Sequence, residues 1–287
     1  MQVRARVLVA SAVAFALVAG IGLYVGLRHF GDGLSLPGLA QGCTVQADGR
    51  VELNASQMAN AATIAAVGVR RGMPERAVVV ALATAFQESR LENLAGGDRD
   101  SIGLFQQRPS QGWGTPEQIR DPRYAATKFY TALKKVRGWE RMRVTDAAQA
   151  VQRSAFPTAY EKWADESEVL TRALLGNASG AVACTVGRTP VLRGDAATAA
   201  LRSVLALDWG QLDLASPAEV TGLAVPTTDQ RAGWRYAHWL VSHARDHGVK
   251  RVRFGNLEWT AMHGEWSAIR DDRSPADRVV AEVFADA

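Results

Sequence analysis

Nowhere in the chain do five or six like charges run together, which excludes a basic nucleic-acid arm. The net charge of +4 and the pI near 9.3 are spread along the sequence and support only a general affinity for anionic polymers, cell-wall glycans among them. Cysteine is scarce, with two in 287 residues. Wholesale disorder is excluded by 47% hydrophobic and 22% charged residues, and the length suits two modest domains.

What the chain does have is one long apolar run. After Arg4 and Arg6, Val7 to Leu27 gives about 21 uncharged residues, enough at 1.5 Å each to span a bilayer core of roughly 30 Å. A cleavable signal has a shorter apolar region, and the nearest small-x-small site, Gly38-Leu39-Ala40, lies too far beyond it. The run therefore reads as an uncleaved transmembrane anchor. A cleaved signal is the alternative, and a buried N-terminal core helix a weaker one. Basic residues without acids before the span place the N-terminus in the cytoplasm and everything after Arg28 outside the cell.

In an exported chain an even cysteine count favours a disulfide, here Cys43 to Cys184, in the near-repeated strings GCTV and ACTV, which read as paired short strands. A lipidated Cys43 is the rival reading, but AQGC lacks the apolar residue expected three before it.

Residues 29–53 read as an extracellular linker. Asn54 to Ser56 then cap a helix ending at Gly72, and Pro74 opens another through Ser89. Glu92 to Gly114, with five glycines, reads as turns and a short hairpin. Asp121-Pro122 and Thr145 start further helices, and the segment after Pro157 gives one ending at Gly176. This makes 54–176 a mainly helical domain. A small-residue stretch, 177–195, is a linker, and 196–287 reads as an α+β accessory domain. In it, Ala197 to Leu205 is a short helix, Thr227 and Thr228 cap a longer one ending at Gly248, and VKRVRF and RVVAEVF are strands.

Glu88 closes an apolar helix on a face with Ala81, Thr84 and Ala85. Such surroundings disfavour an ionised carboxyl, as a general acid requires. Fifteen residues on comes Gly103-Leu104-Phe105-Gln106. The Glu88-Ser89 pair followed by this string resembles the lysozyme-like soluble lytic transglycosylase family over roughly 54–176. The strings GLFQQRPSQGWGT and AQAVQRSAFPTAY look like an actinobacterial, membrane-anchored exported branch of it.

The resemblance implies a lysozyme-like fold and cleavage of the MurNAc-GlcNAc bond of peptidoglycan strands. Glu88 would be the sole acid and base, leaving a 1,6-anhydro end, and no cofactor or metal would be needed. Gln106 would position the glycan, Gly103 would permit its close approach, and Ser89 would support the helix end. The family's Tyr-Asn pair falls at Gln152 and Arg153, the remaining substrate-binding candidates; this departure keeps open a non-catalytic peptidoglycan-binding or scaffold protein. A third reading is an inverting muramidase in which Asp98 or Asp100 holds a water opposite Glu88, though aspartates in Gly-rich turns usually bond their own backbone. Trp113 and Tyr160 are core residues or sugar-stacking aromatics.

In the accessory region, His243 and His247 stand at i,i+4, but the metalloprotease glutamate is absent and no metal site is expected. The region resembles a C-terminal domain of actinobacterial exported proteins whose zinc-peptidase versions end in HYDHVHVS. Here SPADRVVAEVF replaces those histidines, so a non-catalytic domain is expected, with an envelope protein as candidate partner and Trp234, Trp239, Trp259 and Trp266 mainly in its core.

Overall fold

A computed structural model describes residues 42–187, 189–269 and 277–286. The apolar run Val7 to Leu27 lies outside them. Among the described residues no helix is long and apolar enough to cross a membrane.

The described chain is a mixture of nine helices and two antiparallel sheets. Strands β1 (Cys43–Gln46) and β2 (Arg50–Leu53) form a hairpin. The stretch expected as linker thus already contains paired strands from Cys43 onward. Helix α1 (Ala55–Arg70) starts at Asn54, whose side chain accepts from Gln57 N while Gln57 reaches back to Asn54 N, a reciprocal cap. Helix α2 (Glu75–Ser89) follows, with Pro74 just outside its first turn.

Then come α3 (Pro116–Arg120), α4 (Pro122–Leu133) capped by Asp121, α5 (Val144–Gln152) and α6 (Ala164–Leu174). Thr145 does not cap α5. It lies inside the helix, and its hydroxyl donates to Pro157 O at 2.6 Å, tying α5 to the loop beyond it. The helix expected directly after Pro157 starts only at Ala164, behind a 3-10 turn at Glu161–Trp163.

Strand β3 (Val182–Cys184) lies inside the expected 177–195 linker and pairs with β1, with Cys43 opposite Cys184 and the two joined as a disulfide. Beyond it run α7 (Gly194–Trp209), β4 (Gly222–Pro226), α8 (Gln230–Ser242), α9 (Ala244–His247), β5 (Val249–Phe254), β6 (Leu257–Thr260), β7 (Trp266–Ala268) and β8 (Arg278–Val283). Asp229, rather than Thr227 or Thr228, caps α8 by accepting from Ala232 N. The second sheet has the order β4-β8-β5-β6-β7. Its fit against α8 depends on Gly233, where a Cβ would sit 1.8 Å from the Phe254 ring.

The described residues form one compact unit with a continuous apolar core. Helix α1 packs on α4, α7 and α8, so the two expected regions share a face. Two buried polar groups tie them. His238 on α8 accepts from Ala181 N at 2.9 Å through Nε2, so its Nδ1–H donates to Ala173 O at 2.8 Å, and burial pulls its pKa down to about 4.

Asp208 at the end of α7 is fully buried and lies 2.5 Å from Arg123 Nε on α4. Its Oδ2 accepts from Thr63 Oγ1 at 2.9 Å and Trp239 Nε1 at 2.8 Å. His243 stacks on Trp239 and donates through Nδ1–H to Trp239 O at 2.9 Å, and burial pulls its pKa down to about 4 as well. Trp234, Trp239 and Trp259 are buried; Trp266 is half-buried and donates to Val182 O.

Candidate active site around Glu88

After the polar first turn at Glu75 and Arg76, helix α2 is buried from Ala77 to Phe86 because it is packed by α1, α5 and α6, and it turns polar again only in its last turn. Arg90 terminates it in the left-handed conformation (φ 56°), with Arg90 N donating to Phe86 O and Leu91 N to Ala85 O. Ser89 is buried, and its hydroxyl bridges Ala85 O at 3.0 Å and Leu104 O at 2.8 Å. Ser89 thus fastens the helix end to the Gly103–Gln106 turn.

That turn is closed by the Ile102–Gln107 bridge, the short hairpin expected in this region. Gly103 (φ 77°) accepts no side chain, since a Cβ would lie 2.9 Å from Ile119 O. Gln106 adopts φ 45°; its amide donates to Gly103 O at 3.1 Å and covers Gly97. Gln152 at the end of α5 donates to Phe105 O at 2.7 Å. Arg153 ends α5 in the left-handed region (φ 53°) with an exposed side chain.

Among the described residues, five of the six non-glycine residues with positive φ are Arg90, Leu91, Arg99, Gln106 and Arg153. All lie on the segments that frame this turn and the helix end. Left-handed backbone at a residue with a Cβ costs about 1–2 kcal/mol, and strain concentrated in one place is a mark of functional sites.

Glu88 is half-buried, and its Oε1 accepts a 2.6 Å hydrogen bond from the hydroxyl of Tyr160. Oε2 takes no hydrogen bond among the described residues. Tyr160 is fully buried. Burial first, and then its bond to Glu88, pushes the phenol well above its ordinary pKa, with Ser154 acting in the opposite sense, so it stays a donor at physiological pH. The next residues hold it there. Trp163 stacks on Phe86 (centroids 5.0 Å apart), donates through Nε1 to Gln87 Oε1 at 3.0 Å, and lies under the Arg90 guanidinium at 4.4 Å. Neighbours of Glu88 on both sides are thereby clamped to the segment that carries Tyr160.

The resemblance implied a supporting tyrosine at the position of Gln152, whereas the tyrosine that meets Glu88 comes eight positions later. The signal that could have found it is the Tyr160-x-x-Trp163 pair, two aromatics at one-turn spacing just beyond the missing motif.

Asp98 is exposed and lies 3.9 Å from Arg99 Nε. Asp100 accepts from Arg108 Nε at 2.6 Å and from Ser110 N at 2.8 Å. The Ser110 hydroxyl first, the Ser110 amide next and Arg108 after them hold its carboxyl well below the usual range. Both of its oxygens are therefore occupied in stapling the 100–110 loop. Trp113 is half-buried, and its carbonyl accepts from Tyr124.

Next to the turn is a cleft of about 690 Å³ between the Gln111–Trp113 loop, α4 and the end of α5; Gln152 and Arg153 line it, and Glu88 is not among its walls. Among the described residues no group of His, Cys, Asp and Glu is arranged to hold a metal ion. Compared with known proteins, the chain matches no family model and no curated sequence.

Proposed function

We propose that this chain is a lytic transglycosylase-type enzyme that cleaves the MurNAc-GlcNAc bond of peptidoglycan strands at Glu88. The observation that carries the reading is the Tyr160 to Glu88 hydrogen bond at the end of a buried helix facing a Gly-Leu-Phe-Gln turn. It supplies the tyrosine support that the sequence departure at Gln152 and Arg153 had put in doubt.

With Oε1 tied to Tyr160, Oε2 is the oxygen left for substrate. A proton on it passes to the bridging glycosidic oxygen as the bond to C1 breaks. The carboxylate then takes the proton of the sugar's own 6-hydroxyl as that oxygen bonds to C1. Glu88 ends as it began, protonated, and no water enters. Tyr160 touches Glu88 rather than substrate, so it is a positioning residue.

A single acid and base suffices for this route, whereas the hydrolytic one needs a second carboxylate free to hold water. Asp100 is engaged on both oxygens, which argues against it for that task. Export fits the reading. The Cys43–Cys184 disulfide is the chemistry of an oxidising compartment, and Val7 to Leu27 would hold the chain at the membrane with residues after Arg28 outside.

The test is mass analysis of products released from purified cell walls by the full chain and by Glu88→Gln. We expect 1,6-anhydro ends from the first and none from the second. Equal release by both, or reducing ends alone, overturns the proposal.

A further inference from the structure

The cleft beside the turn has a one-sided charge. Among its lining residues are Lys128, Lys135 and Arg153, and none is Asp or Glu. None of the three cations forms an ion pair among the described residues; Lys128 rests 5.2 Å above the Tyr124 ring, and Lys135 and Arg153 are exposed. Other basic side chains do meet carboxylates, as in Arg50–Glu52, Arg143–Asp146 and Arg253–Glu258. Three unmatched cations around one concavity focus a positive potential into it.

Arg153 adds a second observation. It terminates α5 with φ 53°, the place where glycine is favoured because it has no Cβ. The backbone there would be less strained without the side chain that reaches the cleft.

The cleft also adjoins the candidate active site through hydrogen bonds. Its wall residue Gln152 donates to Phe105 O, and the carbonyl of the preceding Leu104 accepts from Ser89, next to Glu88.

We infer that this cleft binds the carboxylate-bearing peptide arms carried by the glycan, with Lys128, Lys135 and Arg153 as the groups that read them. The inference rests on the glycan-cleaving reading above, because it takes its ligand from that substrate. The sugars of such a strand are uncharged between their arms, so a cationic cleft distinguishes an armed strand from an uncharged glycan of the same length. The contacts are solvent-exposed, so the preference is modest and falls with salt.

The experiment measures binding by the full chain carrying Glu88→Gln, which removes cleavage from the readout. The two probes are glycan strands with intact peptide arms and N-acetylglucosamine oligosaccharide strands of matched length, which carry no carboxylate. We expect about tenfold tighter binding of the armed strands at low ionic strength, as three exposed charge contacts would give. Adding Lys128→Gln, Lys135→Gln and Arg153→Gly should abolish the difference. Arg153→Gly alone should reduce it with an unchanged or raised Tm, which separates loss of binding from loss of folding.

Equal affinity for both strands overturns the inference, as does a preference that survives the triple substitution. Tighter binding of a single-stranded DNA oligonucleotide than of armed strands does so too. The cleavage reading fails separately: no anhydro product from the chain with Glu88 intact, together with a retained arm preference, leaves the cleft as proposed.

Discussion

Tyr160 and Glu88 are 72 residues apart in sequence, and the tyrosine hydroxyl donates to the glutamate Oε1 at 2.6 Å. The bond fixes one carboxylate oxygen and leaves the other without a hydrogen bond among the described residues. Tyr160→Phe keeps the buried ring and removes only the donor. A hydrogen bond to a charged group is worth about 1.5–3 kcal/mol, so kcat is expected to fall about tenfold to a hundredfold with KM little changed. Initial rates of anhydro-product release check this; an unaltered kcat would remove Tyr160 from the mechanism.

Asp100 gives a contrasting expectation. Its oxygens serve Arg108 and Ser110, so Asp100→Asn is expected to loosen the 100–110 loop while preserving both the product and, within about threefold, the rate. Complete loss of activity with the fold intact by circular dichroism would restore the hydrolytic mechanism.

Legibility of the fold followed the range of the interactions. The Asn54 and Asp121 caps were readable because each bonds a backbone N–H within three residues. Thr145 looked the same locally, yet its hydroxyl is taken by Pro157 O. Strand β4, GLAVP, carries a glycine and a proline and gains its identity only by pairing with β8, so no local pattern announced it. At the candidate site, Glu88 and the Gly103–Gln106 string were singled out by a resemblance carried on local sequence, whereas the Tyr160 contact depends on the path of the loop from Arg153 to Ala159. The shared core between 54–176 and 196–287 was illegible for a related reason: Asp208, Arg123 and His238 find their partners across long stretches of chain.

Those long-range polar links predict the pH dependence. His238 is neutral in the fold with its pKa lowered to about 4, against about 6.5 unfolded, so between these values the unfolded state binds more protons. Its contribution is complete above pH 6.5 and is lost as pH falls toward 4, amounting to about 3 kcal/mol. His243 acts in the same direction. Urea midpoints from pH 7.5 to 4 should therefore fall, and more shallowly in His238→Gln; a flat profile in the parent chain would contradict the buried neutral imidazole.

The Arg123–Asp208 pair should respond differently to single and double changes. Asp208→Asn or Arg123→Met leaves a charge without its partner in a buried setting and is expected to cost about 3–5 kcal/mol, while the double substitution should cost less than the sum. A double-mutant cycle by chemical denaturation measures the coupling, and strict additivity would show that the two groups do not interact.

Removing the disulfide by Cys43→Ser with Cys184→Ser frees a loop of 141 residues in the unfolded chain. Chain entropy sets the loss at about 5 kcal/mol, and typical measured losses are about 2–5 kcal/mol. A fall in Tm that matches the reduced parent is expected; unchanged stability in both would show that the crosslink does not constrain the unfolded state.

The same crosslink determines how the protein carries force. Tension entering before Cys43 and leaving after Cys184 passes from sulfur to sulfur, so the intervening covalent ring, with both Glu88 and Tyr160 inside it, is out of the line of pull. Tension along that path would therefore not draw the Glu88 carboxylate away from the Tyr160 hydroxyl.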